Sequence, residues 1–414
     1  MINEEQKRIL IEGAKIGTLP SNVPCPVGCR FCYECHLEKI FPNIKSEFIP
    51  KYEKESFDFF KKESERNKKP MKPGFFLAVK DGKIYSRNFC DFFSLGLDRG
   101  QIEDVIQNNK RYGIKRSFYT TGLNVDPDLI LYLTNKYKED FRLWISLMTF
   151  DDELKKKLVQ NWTSSDDIKK IIKSSYNPQI MLFYISYNQV INDLRIINDI
   201  NIGECEIAIS QLHYNKFHPE WIKNLVMSNI GDFSKFVFYL SAHPKEFGNI
   251  YDRLCFISPS GAFAWKFRED LKDLLKGYFL DGKDLILCSH SAYKVLRSIC
   301  GGDVKIEAVS DIYCGSNDFT TPITSKEIFS AIQDYLKKDD SIKRVFVPST
   351  MWAIEDKFDM NCMTIDSVRK EFPSLEIIKV MIPPKMLKSN LSLKDCIEYY
   401  NFLDKDNIVL GRTR

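Results

Sequence analysis

The residues best equipped for chemistry stand near the start of the chain, in the run Cys25-Pro-Val-Gly-Cys29-Arg-Phe-Cys32-Tyr33. Three thiolates at spacings of three and two residues, on a segment that carries Pro24, Pro26 and Gly28, can wrap one corner of a compact inorganic cluster. A [4Fe–4S] cube held fully by protein uses four cysteines, so three leave one iron open to an exogenous molecule. Cys35 follows closely. As a fourth ligand it would occupy that open iron, so it reads as a neighbouring thiol or packing residue. The four thiols together could instead make a tetrahedral zinc site. Zinc knots, however, usually separate two close pairs by a longer loop, which this clump lacks.

Twelve cysteines in 414 residues are too dilute for a disulfide scaffold. Four of them crowded together read as metal ligation in a reducing compartment. Cys90, Cys205, Cys255, Cys288, Cys300, Cys314, Cys362 and Cys396 stand singly and read as small buried apolar side chains. A composition that is 44% hydrophobic and 13% aromatic builds an ordinary core and excludes disordered or collagen-like chains. The 60 basic and 56 acidic residues leave a net charge of +4 spread along the chain. That balance argues against a nucleic-acid coat or a membrane-surface protein. The longest apolar runs, such as 180–185 and 236–240, fall far short of the roughly 20 residues that cross a bilayer. The expectation is a soluble, cytoplasmic protein with neither nucleic acid nor membrane as partner.

From about residue 75, short β-rich runs alternate with amphipathic stretches of helical period, which reads as repeated βα units. Strands are expected at 74–94 (as a hairpin or two pieces), 115–120, 142–146, 179–186, 204–210 and 236–241, and helices at 100–112, 127–138, 152–160, 165–173, 188–200 and 219–228. Each strand run ends in a hydroxyl residue and a loop: Ser94-Leu-Gly96, Thr120-Thr-Gly122, Ser146-Leu-Met-Thr149, Ser186-Tyr-Asn-Gln189, Ser210-Gln-Leu-His213 and Ser241-Ala-His243. In a parallel barrel these ends share the face where barrel enzymes build their sites. Taken singly, each hydroxyl also suits the cap of the next helix. Gly277 and Gly282, among charges at 276–284, mark a boundary between residues 1–280 and a smaller α/β domain at 281–414. That domain has strand-like runs at 285–288, 304–309, 344–347 and 376–380 and helices at 291–299, 325–337 and 366–372. Neither a dinucleotide nor a P-loop glycine fingerprint is present.

The C-x3-C-x2-C spacing with an aromatic before the last cysteine resembles the hallmark of the radical S-adenosylmethionine superfamily, and Phe31 occupies the aromatic position. The resemblance implies an α/β fold, a partial (β/α)6 barrel of TIM type, followed by the C-terminal α/β domain. It implies Cys25, Cys29 and Cys32 as cluster ligands, with S-adenosylmethionine chelating the open iron and Phe31 near the adenine. An electron from the reduced cluster would cleave the sulfonium to methionine and a 5′-deoxyadenosyl radical, which abstracts hydrogen from an unactivated C–H bond. The protein would position the substrate and exclude water. Asp91-Phe-Phe-Ser94-Leu-Gly96 stands where the superfamily holds the methionine amine, in degraded form, and makes Ser94 and Gly96 contacts. Trp144-Ile-Ser146-Leu-Met-Thr149-Phe-Asp-Asp-Glu-Leu is similar to the family's S-x-x-T, D-x-E-L run. It assigns Ser146 and Thr149 to the ribose or carboxylate, with Ser186 and Asn188 acting likewise.

The C-terminal runs 285–290, 296–302, 304–309, 321–328 and 345–351 resemble the domain attached to a subgroup that includes the methanogen arginine C-methyltransferase of methyl-coenzyme M reductase. That enzyme uses cobalamin. The D-x-H-x-x-G cobalamin box is lacking here, and residues 35–76 lack that enzyme's extra cysteines. With cobalamin the implied reaction is methylation of an sp3 carbon; without it, rearrangement, epimerisation, crosslinking or elimination. Cys90 and Tyr119 are the rim groups that could return a hydrogen, and His213, His218, His243 and His290 could bind cobalt or move protons. The implied substrate is a peptide, a protein or a small molecule, and the implied reductant a low-potential donor such as flavodoxin or ferredoxin. From a different class, a zinc- or cluster-binding scaffold without turnover accounts for the same cysteines.

Overall fold

The computed structural model describes residues 26–32, 78–80, 83–85, 91, 93–111, 117–200, 202–212, 214, 217–257, 260–309, 323–352, 359, 363–382 and 390–405. Cys25, Cys35, Cys90 and His213 lie outside these. Two compact units are present. One holds the described residues up to 209 together with 242–254, and the other holds 210–241 and the residues from 255 onward.

In the first unit, β1 (Ala78–Lys80) and β2 (Lys83–Tyr85) form an antiparallel pair. Residues 93–95 form a short 3-10 turn, so the run 74–94, expected as a hairpin or two pieces, holds an antiparallel pair followed by a turn. Then come α1 (Arg99–Arg111), β3 (Ser117–Thr120), α2 (Pro127–Tyr137), β4 (Arg142–Leu147), α3 (Asp152–Leu158), α4 (Ser165–Ser174), β5 (Gln179–Tyr184), α5 (Tyr187–Ile200) and β6 (Glu206–Gln211). With β7 (Leu254–Phe256) the sheet order is β3-β4-β5-β6-β7. β3, β4 and β5 pair in parallel, with Tyr119 opposite Trp144 and Ser146 opposite Met181.

Strands that follow one another in chain order through right-handed crossovers carry their helices on one face, the winding used by (β/α) barrels. Burial alternates to match. Leu143, Ile145 and Leu147 on β4, and Ile180, Leu182 and Tyr184 on β5, are buried. Tyr119, Trp144, Ser146, Met181 and Phe183 are half-buried on the opposite face. Asp126 caps α2 ahead of Pro127, Asp151 caps α3 and Ser164 caps α4, each accepting a first-turn N–H. Between β3 and α2, Gly122 has φ +89°, and a Cβ there would lie 2.2 Å from Ile168 Cδ1.

The second unit corrects one expected strand. Residues 236–241 lie within a helix, α7 (Phe233–Ala242), which follows α6 (Glu220–Asn229). Phe233, Phe236, Val237 and Leu240 are buried at helical spacing, and that period prevails over the β propensity of Phe-Val-Phe-Tyr. The strand not foreseen is β7, whose three residues are too few to show an alternation. Next come α8 (Ser260–Lys266), α9 (Arg268–Lys276), β8 (Asp284–Ser289), α10 (His290–Ile299), β9 (Lys305–Val309), α11 (Ser325–Leu336), β10 (Arg344–Pro348), α12 (Ile365–Glu371), β11 (Glu376–Val380) and α13 (Leu393–Lys405).

The order β11-β10-β8-β9, parallel throughout, requires the chain to reverse direction across the sheet after β9. Helices therefore cover both faces. One core joins Leu285, Leu287, Val345 and Val347 to Ile328, Ile332 and Val368 of α11 and α12. The other joins Ile286, Cys288, Ile306 and Phe346 to Leu296 of α10. Among the described residues no helix is long and apolar enough to cross a membrane.

Asp284, fully buried at the start of β8, accepts from Arg344 Nε and Nη2 at 2.7 Å each, while the same guanidinium donates to the carbonyls of Tyr278 and Phe279. Removing one partner of such a pair strands the other. Asp284→Ala is expected to lower unfolding free energy by about 3 kcal/mol, read from urea denaturation.

Candidate functional site

The cysteine loop is built from backbone outward. Cys32 N–H donates to Cys29 C=O at 3.2 Å, a turn that puts the two half-buried cysteines at its corners. The loop lies along the strap 158–161 between α3 and α4. Arg30 N–H donates to Leu158 C=O at 2.9 Å, Gln160 N–H to Gly28 C=O at 3.1 Å and Asn161 N–H to Val27 C=O at 3.0 Å. Cys29 faces Val159 across an antiparallel bridge, and the Asn161 amide donates to Pro26 C=O at 2.5 Å. Gly28 permits this approach: its φ is +65°, and a Cβ would stand 2.9 Å from both Cβ and Oε1 of Gln160. The Phe31 ring meets Phe183 at 5.4 Å between centroids, which brings the motif's aromatic to the half-buried face of β5. Two thiol donors at the corners of one turn fit a thiolate-held cluster. The third, Cys25, is outside the described residues, among which no three His, Cys, Asp or Glu side chains converge as a metal site.

Two buried carboxylates organise the ends of β3, β4 and β5. Asp91 Oδ1 accepts from Phe93 N–H and Ser94 N–H, and its Oδ2 accepts from Thr121 N–H and Oγ1 at 2.6 Å each and from Thr120 Oγ1 at 3.3 Å. Burial pushes the Asp91 carboxyl above the ordinary aspartate value, against these donors. Ser94 is buried and its hydroxyl donates to Asp91 C=O. Gly96 is exposed at φ +65°, with open space where a Cβ would stand. Sequence reasoning quoted Asp91 but passed over it for Ser94; the signal available was an acid between apolar residues just ahead of a turn.

The second carboxylate, Asp193 on α5, ties the end of β4 to that of β5. It accepts from Phe150 N–H at 2.9 Å, from Thr149 Oγ1 at 3.3 Å and from the Gln189 amide. Gln189 in turn accepts from Ile185 N–H and Ser186 N–H and donates to Met148 C=O. Thr149 is fully buried, and its hydroxyl also accepts Asp151 N–H. Ser186, half-buried, accepts Gln189 N–H at 3.4 Å, and Asn188 is exposed in the first turn of α5. Gln189 and Asp193 were not singled out from sequence. An acid on the apolar face of a helix was the legible sign.

On the half-buried face of the sheet, Tyr119 stacks on Trp144 at 5.0 Å and 27°, and the Trp144 indole N–H is buried without a hydrogen-bond partner. Ser146 lies two residues further along the same face of β4. The described histidines do not gather there. His218 is buried ahead of α6, His243 is exposed after α7, and His290 opens α10 half-buried, its imidazole pushed below the ordinary value by burial.

No protein-family model and no curated protein matches the sequence. Among solved structures the chain is similar to SuiB of Streptococcus suis. The S-adenosylmethionine-bound form aligns with TM-score 0.29 and 17% identity over 38% of this chain and 34% of that one. SuiB alone gives 0.34 and 13% over 56% and 46%, and SuiB bound to precursor peptide SuiA gives 0.35 and 13% over 58% and 50%. The chain thus spans from about a third to half of the SuiB chains it matches. A likeness of this extent assigns no family, and the α/β class with parallel sheets stands on the chain's own topology.

Burial raises the Asp193 carboxyl to about 6 from an ordinary 3.8, against the donors from Phe150, Gln189 and Thr149. The folded protein holds this proton more tightly than the unfolded chain does. Its contribution to stability is therefore complete below the ordinary value and is lost as pH rises through about 6. Asp193→Asn is expected to remove a decline on the order of 3 kcal/mol between about pH 4 and pH 7, measured by urea unfolding of both proteins at the two pH values.

Proposed function

We propose that this chain is a radical S-adenosylmethionine enzyme that functionalises a C–H bond of a peptide or protein. The observation that carries the reading is the Cys29–Cys32 turn, pinned to the strap with Phe31 against Phe183 on the half-buried face of a sequentially wound sheet. When bound, a [4Fe–4S] cluster and S-adenosylmethionine supply one-electron cleavage of a sulfonium and hydrogen abstraction from an unactivated carbon. In this reading Cys25, Cys29 and Cys32 hold the cluster, and Phe31 lies along the adenine.

The chain's other residues divide by what their polar atoms are free to do. Ser146 presents a hydroxyl on the half-buried face, and Gly96 leaves its backbone open to approach, so these suit direct contact with S-adenosylmethionine. Ser186 and Asn188, at the start of α5, suit the same ligand's polar groups. The hydroxyls of Ser94 and Thr149 serve Asp91 and Asp193, so these two residues position the strand ends. Tyr119 and Trp144 form an aromatic wall that excludes water from the reacting carbon. Tyr119 is also the described group suited to return a hydrogen, with Cys90 the other. A flavodoxin- or ferredoxin-type donor supplies the electron.

Cobalamin-assisted methylation is the finer form of this reading, and the winding of the second unit supports it. β8 and β10 are neighbours whose following helices leave to opposite faces, and open sheets bind ligands at such a switch. His290 begins α10 at that end of β8, and burial favours its neutral imidazole, the form that ligates a metal. Added hydroxocobalamin is expected to shift its absorbance on binding the wild type and to lose that shift with His290→Ala. An unchanged spectrum with the wild type removes the cobalamin form.

Anaerobic reconstitution tests the main reading. The wild type is expected to bind about four irons and, with dithionite and S-adenosylmethionine, to release 5′-deoxyadenosine. Cys29→Ala and Cys32→Ala are expected to reduce both to background. One bound zinc and no nucleoside would overturn it.

A further inference from the structure

The strap that receives the cysteine loop contains neither helix nor strand through 160–163, yet four backbone or side-chain hydrogen bonds to the loop depend on its course. Its near end continues α3, where Val159 N–H donates to Lys155 C=O. Its far end is gripped by the side chain of that same residue. Lys155 is 4% exposed, and its ammonium donates to Thr163 C=O at 3.0 Å, to Ser165 Oγ at 3.1 Å and to Asp152 Oδ1 at 3.1 Å. All three protons of the ammonium thus have acceptors. Asp152 Oδ1 also accepts Ser165 N–H at 3.0 Å, and the Ser165 hydroxyl reaches Phe150 C=O. A single buried cation therefore joins the start of α3, the end of the strap and the start of α4.

Burying an ammonium is costly unless every donor is met, and a methionine-like side chain would fill the same space without that cost. What the cation supplies and an apolar side chain does not is a grip on Thr163 C=O, the point at which the strap turns toward α4. We infer that Lys155 is a positioning residue for the metal centre: by closing the strap it holds residues 158–161 where the Cys29–Cys32 turn docks. The inference rests on the proposed cluster reading for its purpose, though the docking itself is a property of the chain without metal. The cysteine loop and the strap then open together, as one local unit whose stability is set at Lys155 and not at the thiols.

The test uses the full chain. Lys155→Met removes the cation, and Asn161→Ala removes a strap-to-loop bond directly while leaving the cation in place. In metal-free protein, the alkylation rates of Cys29 and Cys32 by iodoacetamide are followed by peptide mass spectrometry, with Cys288 and Cys396, 3% and 0% exposed, as reporters of global unfolding. In reconstituted protein, iron retained after desalting is counted. Lys155→Met is expected to raise alkylation of Cys29 and Cys32 about tenfold, equal to ~1.4 kcal/mol of local stability, with Cys288 and Cys396 still protected and retained iron reduced. Unchanged alkylation at Cys29 and Cys32 overturns the inference. Should Cys288 and Cys396 also react in Lys155→Met, Asn161→Ala decides: faster alkylation confined to Cys29 and Cys32 supports the strap, and an unchanged rate overturns it. A wild type that retains no iron but whose alkylation responds to Lys155→Met would sink the cluster reading and leave the strap standing.

Discussion

A parallel strand that stops leaves backbone N–H groups without a ladder partner, and where water is excluded those groups must find acceptors inside the protein. Asp91 and Asp193 are those acceptors for three neighbouring strand ends. Asp91 gathers N–H groups from 93, 94 and 121, and Asp193 gathers Phe150 N–H and, through Gln189, joins the chain at 148 and 185. Each carboxylate sits where burial opposes its charge, which shows how much hydrogen bonding is concentrated on it. The rim of the sheet takes its shape from these two side chains.

The cysteine turn depends on a different solution to the same requirement. Its backbone groups are met by the strap, in a short antiparallel pairing that fixes the course of the chain at Cys29 and Cys32. Gly28 allows the close approach, and Lys155 maintains the strap from beneath. Three buried ionisable groups, two carboxyls and one amine, thus support a site whose proposed ligands are thiols and hydroxyls.

The second unit solves its packing separately. Reversal of winding after β9 places α11 and α12 on one face of the sheet and α10 on the other, and the two cores draw on alternate residues of the same strands. Leu285 and Leu287 face one way, Ile286 and Cys288 the other. A strand buried on both sides reads as a continuous apolar run, which is why β8 was legible as a strand from Leu-Ile-Leu-Cys.

The chain alone determined the C-x3-C-x2-C spacing, the alternation of β and α runs and most helix positions, because these are local: ligand spacing is set along the backbone, and a period of two or of 3.6 shows within a dozen residues. It misplaced residues 236–241, where β-favouring residue types recur at helical spacing, and it missed β7, which is too short to have a period. It singled out Ser94, whose hydroxyl donates to the Asp91 backbone carbonyl, and Thr149, whose hydroxyl donates to the Asp193 carboxylate, but not Asp91, Gln189, Asp193 or Lys155. Only the tertiary structure decided those roles. A hydrogen bond from Thr121 to Asp91, or from Lys155 to Thr163, joins segments whose proximity depends on packing, and no residue type announces which distant N–H group it will have to satisfy.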